Sequence, residues 1–160
     1  MTARMRRSSG CKGSALIETA LCFTVLFTTL LGISELAIVA YSYHSLSEVA
    51  RQTSRWAAVR GSVSCGPKGS AAVVNCDATA SNIQTFAVGL GYVSALTSSN
   101  VSVAWCNPPT NGVADTKCTT TNSPGNLVKV TVSYQVPLVL PMISSNLITM
   151  SSTSKMLITQ

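Results

Sequence analysis

The residues most able to do chemistry near the N-terminus are acids placed at and inside an apolar segment. Residues 1–13 contain four cations and no acid. Glu18 follows, five residues after Gly13, and Glu35 interrupts the apolar run that extends to Tyr43. A carboxylate at the centre of a membrane helix costs roughly 2.5–3.5 kcal/mol, so an acid kept there is a candidate for a functional pairing.

A peptide-bond cut between Gly13 and Ser14 would give Glu18 a natural counter-charge. Glu18 would become the fifth residue of the shortened chain, close to a new α-amine. The two charges could pair within one chain or between subunits. The alternatives are that Glu18 complements the positive end of a helix dipole and that Glu35 is solvated among lipid headgroups.

The apolar segment is long enough to cross a membrane. Residues 19–34 are uncharged, and the apolar run resumes over residues 36–43; about 20 apolar residues in a helix span a bilayer core. A cleaved secretory signal would have a shorter apolar core, and a buried core helix would not need the leading cations. A retained transmembrane helix fits best, and the cations place its N-terminus in the cytoplasm.

The helical pattern continues beyond the apolar run. We predict one continuous helix over residues 14–59, about 70 Å long and therefore longer than a membrane is thick. Its outer portion carries one stripe of residues at helical spacing, which predicts a packing face rather than a ligand site. The stripe comprises Leu46, Val49, Ala50, Thr53, Trp56 and Ala57.

The remaining residues predict a small mixed head. Residues 79–96 have the spacing of a second amphipathic helix that Asp77 could cap, and three strands follow over residues 100–105, 127–136 and 147–158. These strands are joined by loops rather than crossover helices, so the expected sheet is antiparallel and the fold class is α+β.

Four of the six cysteines lie in the part of the chain assigned to the outside. Their spacings do not match the short intervals of zinc sites, so in an oxidising compartment they predict two disulfides. Four cysteines allow three pairings. We favour Cys65–Cys76 and Cys106–Cys118, because each closes a short flexible loop, and we expect Cys11 and Cys22 to be free.

The composition argues against catalysis and against nucleic-acid binding. One histidine, His44, and two acids in the expected head, Asp77 and Asp115, leave no nucleophile–base–acid set. We therefore predict no enzymatic activity, no cofactor and no metal. Four of the six net positive charges belong to residues 1–13, and the rest form no basic stripe, so we expect no nucleic-acid partner.

At these residues the chain resembles the type IV prepilins, and more narrowly the TadE-like pseudopilins, or minor pilins, of the tight-adherence (Tad) pilus. The resemblance implies a pilin-like fold and cleavage after Gly13 by a prepilin peptidase, with Glu18 and Glu35 in subunit assembly. The matching segments are residues 13–21 (GSALIETAL), 32–35 (GISE), 50–57 (ARQTSRWA) and, more weakly, 130–134 (VTVSY) with Pro137 and Pro141.

The expected organisation is a leader at residues 1–13, a transmembrane helix at 14–43, its exposed continuation at 44–60 and an extracytoplasmic head at 61–160. The resemblance implies a bacterial inner-membrane protein that moves into the periplasm or an extracellular pilus for adhesion or secretion. Its implied partners are other pilin subunits, the pilus assembly platform, the prepilin peptidase and membrane lipid. The alternative is an uncleaved single-pass anchor that presents a disulfide-bonded binding module.

Overall fold

The structure, a computed structural model, describes residues 12–64, 77–93, 96–109, 118, 120–137 and 148–159. Two helices and a short 3-10 turn precede three strands, which confirms the predicted α+β class. The elements are α1 (Lys12–Ala58), α2 (Ala80–Gly89), the 3-10 turn η1 (Ser98–Asn100), β1 (Val101–Cys106), β2 (Leu127–Val136) and β3 (Ile148–Leu157).

The three strands form one antiparallel sheet in the order β1–β2–β3, so β2 is the central strand. Alternation along β2 places Val128, Val130 and Val132 on one face, where all three are fully buried. The intervening residues Lys129 and Thr131 lie on the opposite face. The sheet therefore has one apolar face that must be covered, and the helices cover it.

The outer portion of α1 packs against this apolar face and contacts both β2 and β3. The predicted packing stripe is confirmed: Leu46, Val49 and Thr53 are fully buried, and Ala50 and Ala57 are buried beside them. Burying a leucine or valine side chain contributes about 1.5–3 kcal/mol. The long helix is thus the spine of the head, and its outer portion is part of the hydrophobic core.

The second helix is shorter than predicted, and its cap differs. α2 ends at Gly89 rather than at residue 96, and Gly91 then takes a left-handed φ of 67°, a conformation that glycine adopts without strain. Thr79, not Asp77, is the N-cap, since its hydroxyl accepts a hydrogen bond from the Asn82 amide at 3.3 Å. The helical spacing of apolar residues continues past Gly89, but the backbone leaves the helix at that residue.

One loop side chain joins the end of α1 to the start of α2. The Asn122 Nδ2 group donates to the Asp77 carboxylate at 2.8 Å and to the backbone carbonyls of Ala78 at 3.1 Å and Arg60 at 3.3 Å. The backbone carbonyl of Asn122 also accepts from the Ser62 amide at 2.7 Å. This amide side chain fixes where the chain leaves the long helix.

One predicted disulfide is present. Cys106, at the end of β1, is bonded to Cys118 with an S–S distance of 2.00 Å, which confirms that pairing. Cys22 is free and exposed on α1, as predicted. The predicted Cys65–Cys76 pair, like Cys11, Asp115 and Pro141, lies outside the described residues.

Candidate processing and assembly site

The inner portion of α1 extends well beyond the head. Between Gly13 and His44 no residue is buried, and Ser45 is the first buried residue along the helix. This segment, the bare helix (residues 13–44), presents large apolar side chains to its surroundings, and only Gly32, Glu35, Val39 and Ser42, on one side near its outer end, are half-buried. The large apolar side chains include Leu16, Ile17, Leu21, Phe23, Phe27, Leu30, Leu31 and Leu36, each at least half exposed.

Such an apolar helix requires an apolar environment, because its exposed surface is costly in water. In the described part of the chain, α1 is the one helix long and apolar enough to cross a membrane. Its 47 residues correspond to about 70 Å, whereas a bilayer core is about 30 Å thick. The helix can therefore cross a bilayer and still carry the head outside it.

The hydroxyl groups of the bare helix are compatible with lipid because the helix backbone satisfies them. The hydroxyls of Thr19, Thr24 and Thr28 donate to carbonyls four residues earlier at 2.7–2.9 Å. Thr29 and Ser34 make equivalent bonds at 2.8 and 2.9 Å. No hydroxyl donor among these five is left unpaired in hydrocarbon, where an unpaired polar group costs several kcal/mol.

Glu18 lies at the inner end of the bare helix and is exposed. In the described part of the chain, no hydrogen bond or ion pair holds its carboxylate. Gly13 lies about a turn and a half earlier, and a Cβ atom added there would meet no atom within 4 Å. The fold therefore gives no steric reason for glycine at position 13.

Glu35 lies on a different side of α1 from Glu18 and is half-buried. It precedes the fully buried Thr53 by 18 residues, which is five full helical turns, so both residues lie on the head-facing side of the helix. Val39, one turn after Glu35, packs at the edge of the core. Glu18 and Glu35, which the sequence predicted to share one role, therefore lie in different surroundings on α1.

The outer end of α1 carries an aromatic and cationic stack that the sequence did not predict as a unit. The Trp56 ring stacks on Phe86 of α2 with centroids 4.8 Å apart. The Arg60 guanidinium lies 4.4 Å from the Trp56 ring centroid, within cation–π range. These contacts support the prediction that Trp56 is a packing residue.

No cluster of three or more histidine, cysteine or acidic side chains that could hold a metal ion occurs among the described residues. The arrangement provides a glycine near the start of a bare apolar helix, one exposed acid beside it and a folded head at the far end.

In the described part of the chain, a single apolar helix continues as the spine of a small α+β head, an arrangement that fits a membrane-anchored protein. Residues 13–55 match the family model of TadE-like proteins. This match confirms the resemblance seen in the sequence, and it covers the bare helix and most of the helix within the head. No curated protein and no solved structure matches the chain.

Proposed function

We propose that the chain is a minor pilin or pseudopilin subunit that is cut after Gly13 and assembled through α1 into, or at the base of, a Tad pilus. The observation that carries this proposal is the continuity of α1 from the exposed bare helix into the buried spine of the head. A pull on the helix is therefore transmitted directly to the head. A subunit that must be lifted from a membrane into a filament needs that connection.

The position of Gly13 supports cleavage at this residue. Gly13 is the second residue of α1 and directly precedes the proposed cut. No neighbouring atom in the fold forces position 13 to be glycine. The small residue would instead be needed by a molecule that binds the chain from outside. A peptidase that binds the backbone at this point would supply that need.

Cleavage would also give Glu18 a partner. The exposed Glu18 carboxylate would lie one turn from the new α-amine of Ser14. The carboxylate could pair with this amine in its own chain or with the amine of a neighbouring subunit. We propose other pilin subunits, the assembly platform and membrane lipid as the partners of the bare helix. The N-terminus would face the cytoplasm, and the head would lie in the periplasm or on the pilus.

The decisive experiment is intact-mass measurement with N-terminal sequencing of the membrane-extracted chain, produced with and without a prepilin peptidase. We expect the chain to lack residues 1–13 only when the peptidase is present. Gly13→Leu should block the cut, whereas Gly32→Leu is the matched control. Both glycines lie in the bare helix with open space around them, and only the first adjoins the proposed cut.

A chain that keeps residues 1–13 in the presence of an active peptidase would contradict the pilin assignment and favour an uncleaved anchor that presents the disulfide-bonded head. Glu18→Ala tests the assembly role separately. This variant should still reach the membrane and be cut, but it should be lost from the filament fraction. Normal incorporation of Glu18→Ala would remove Glu18 from assembly.

A further inference from the structure

We propose that the outer edge of β3 is a docking site for an extended segment of another protein, which joins the sheet as a fourth strand and carries an acidic side chain beside Lys155. β3 lies at one edge of the sheet, since the strand order is β1–β2–β3. The inference concerns the head alone and does not depend on cleavage after Gly13, so either proposal can fail without the other.

The hydrogen bonds of the sheet show which backbone groups of β3 point away from it. The carbonyl of Trp105 in β1 points away from β2, since it accepts a hydrogen bond from the Thr120 amide at 3.2 Å. Trp105 is paired with Val128, and Val128 with Met156. Because the direction of these groups alternates along a strand, Val128 and Met156 bond to each other. The odd-numbered residues of β3 therefore direct their N–H and C=O groups outward, and these residues are Thr149, Ser151, Thr153, Lys155 and Leu157.

This outer edge of β3 is open. The five outward residues are all exposed, and in the described part of the chain no hydrogen bond engages their backbone groups. β3 pairs with β2 at ten consecutive positions without a bulge, and it contains no proline. Bulges, prolines and short strands commonly keep a sheet edge from pairing with another chain, and β3 has none of these devices.

The opposite edge of the sheet is largely closed. β1 has six residues, whereas β3 has ten. The outward carbonyl of Val101 accepts a hydrogen bond from the Gln84 side chain at 2.9 Å, and that of Trp105 is occupied as described above. The Cys106–Cys118 bond holds the neighbouring segment at the end of this edge. Among the described strands, a continuous row of free backbone groups is therefore found along β3.

The charge at this edge indicates the chemistry of the partner. Lys129 of β2 and Lys155 of β3 are directly opposite each other, on the face of the sheet that α1 leaves open. Like charges at such a position destabilise a sheet, and within the described residues no acid pairs with either lysine. A carboxylate on an incoming strand, beside Lys155, would supply the missing counter-charge.

A second copy of this chain is a poor occupant of the edge. Two β3 strands that pair antiparallel through the same edge are related by a two-fold axis perpendicular to the sheet. Because α1 packs against the face of that sheet, the axis would reverse the direction of α1, whereas copies anchored in one membrane have α1 in the same direction. In-register parallel pairing would bring two Lys155 side chains together. The partner is therefore an extended segment of a different protein, held by strand addition.

Amide hydrogen exchange of the full chain in detergent tests the docking directly. The probe is a blocked peptide of about nine residues in which threonine and valine alternate around a central glutamate, and the control peptide has lysine at the centre. We expect the glutamate peptide to slow exchange of the Ser151, Thr153 and Lys155 amides by about tenfold or more. The amides of Ser152 and Ser154, which already bond to β2, should be unchanged. The lysine peptide should bind about tenfold more weakly.

Variants of the edge test the mode of binding. Thr153→Pro removes an outward N–H group and no hydrogen bond to β2, so the head should fold while peptide binding is lost. Thr153→Val keeps the N–H group and is the matched control, which should bind the glutamate peptide normally. Lys155→Glu changes only an exposed side chain and should reverse the preference, so that the lysine peptide binds better. This second variant decides the question if Thr153→Pro does not fold.

Three results would overturn the inference. Unchanged exchange of the odd-numbered amides at about 1 mM glutamate peptide, the limit of weak binding, would rule out the docking site. Equal binding of the two peptides to the wild-type and Lys155→Glu chains would rule out an acidic partner. Protection that appears without peptide and increases with the concentration of the chain would make a second copy the occupant.

Discussion

A partly buried hydroxyl pair connects α1 to the edge strand β3, and a double-mutant cycle can measure its contribution. The Ser54 and Ser154 hydroxyl oxygens lie 2.7 Å apart, although the residues are 100 positions apart in the chain. Ser54 is completely buried and donates its proton to the Arg51 carbonyl at 2.9 Å. Ser154 must therefore be the donor in the bond between the two serines.

The expected effect follows from these roles. A net hydrogen bond contributes about 1 kcal/mol to the free energy of unfolding. Ser54→Ala also improves helix propensity by several tenths of a kcal/mol, which offsets part of that loss. Ser154→Ala has no such compensation. Ser54→Ala should therefore destabilise the head by about 0.5 kcal/mol and Ser154→Ala by about 1 kcal/mol. The coupling energy between the two changes should be about 0.5–1.5 kcal/mol.

The measurement is denaturant unfolding of the full chain in detergent, followed by tryptophan fluorescence. The chain has two tryptophans, Trp56 and Trp105, and both lie in the head. The matched control is the cross-strand pair Thr131 and Thr153, whose hydroxyls lie 3.0 Å apart on the exposed face of the sheet. The coupling energy of the threonine pair should be near zero, because water can take the place of the removed hydroxyl in this exposed hydrogen bond.

A coupling energy below about 0.3 kcal/mol for the serine pair would refute the reasoning, because residues without direct contact reach that value. A large coupling in the threonine pair would refute it as well. It would mean that burial is not what gives the serine bond its effect.

Two further predictions concern the head. Removing the Cys106–Cys118 bond with the double variant Cys106→Ser/Cys118→Ser should lower the free energy of unfolding by about 3 kcal/mol through lost loop closure. The effect is read as a shift in the denaturant midpoint, and the same double change in a Cys22→Ser chain should give an equal shift, or the free thiol is involved. Gly91→Ala should cost about 1 kcal/mol because of the left-handed backbone at Gly91, whereas Gly89→Ala, in open space at the end of α2, should be neutral or stabilising. Equal thermal midpoints for the two glycine variants would contradict this assignment.

The spacing of apolar residues was sufficient to predict the longest helix and the central strand. The long helix, predicted over residues 14–59, lies at Lys12–Ala58, and the strand predicted over residues 127–136 is Leu127–Val136. Both have an unbroken period and clear ends. The end of α2 was wrong by seven residues, because apolar periodicity continued while the backbone at Gly89 to Gly91 turned away.

The candidate site was likewise predicted only in part from the sequence. The sequence alone placed Gly13 and Glu18 at the start of an apolar helix, since charge and hydropathy are properties of the chain itself. The stripe from Leu46 to Ala57 also predicted the packing side of the outer portion, but the sequence could not show what packs there, because that is a sheet that forms much later in the chain.

The sequence by itself determined that this protein has one membrane-length helix, a charge-poor α+β head and a prepilin-like start, because these follow from composition and period. Tertiary structure decided that Ser54 meets Ser154. It also decided that Asn122 joins the ends of two helices. Such contacts depend on which distant segments pack together, and packing is settled by burial of the whole apolar face rather than by any local pattern.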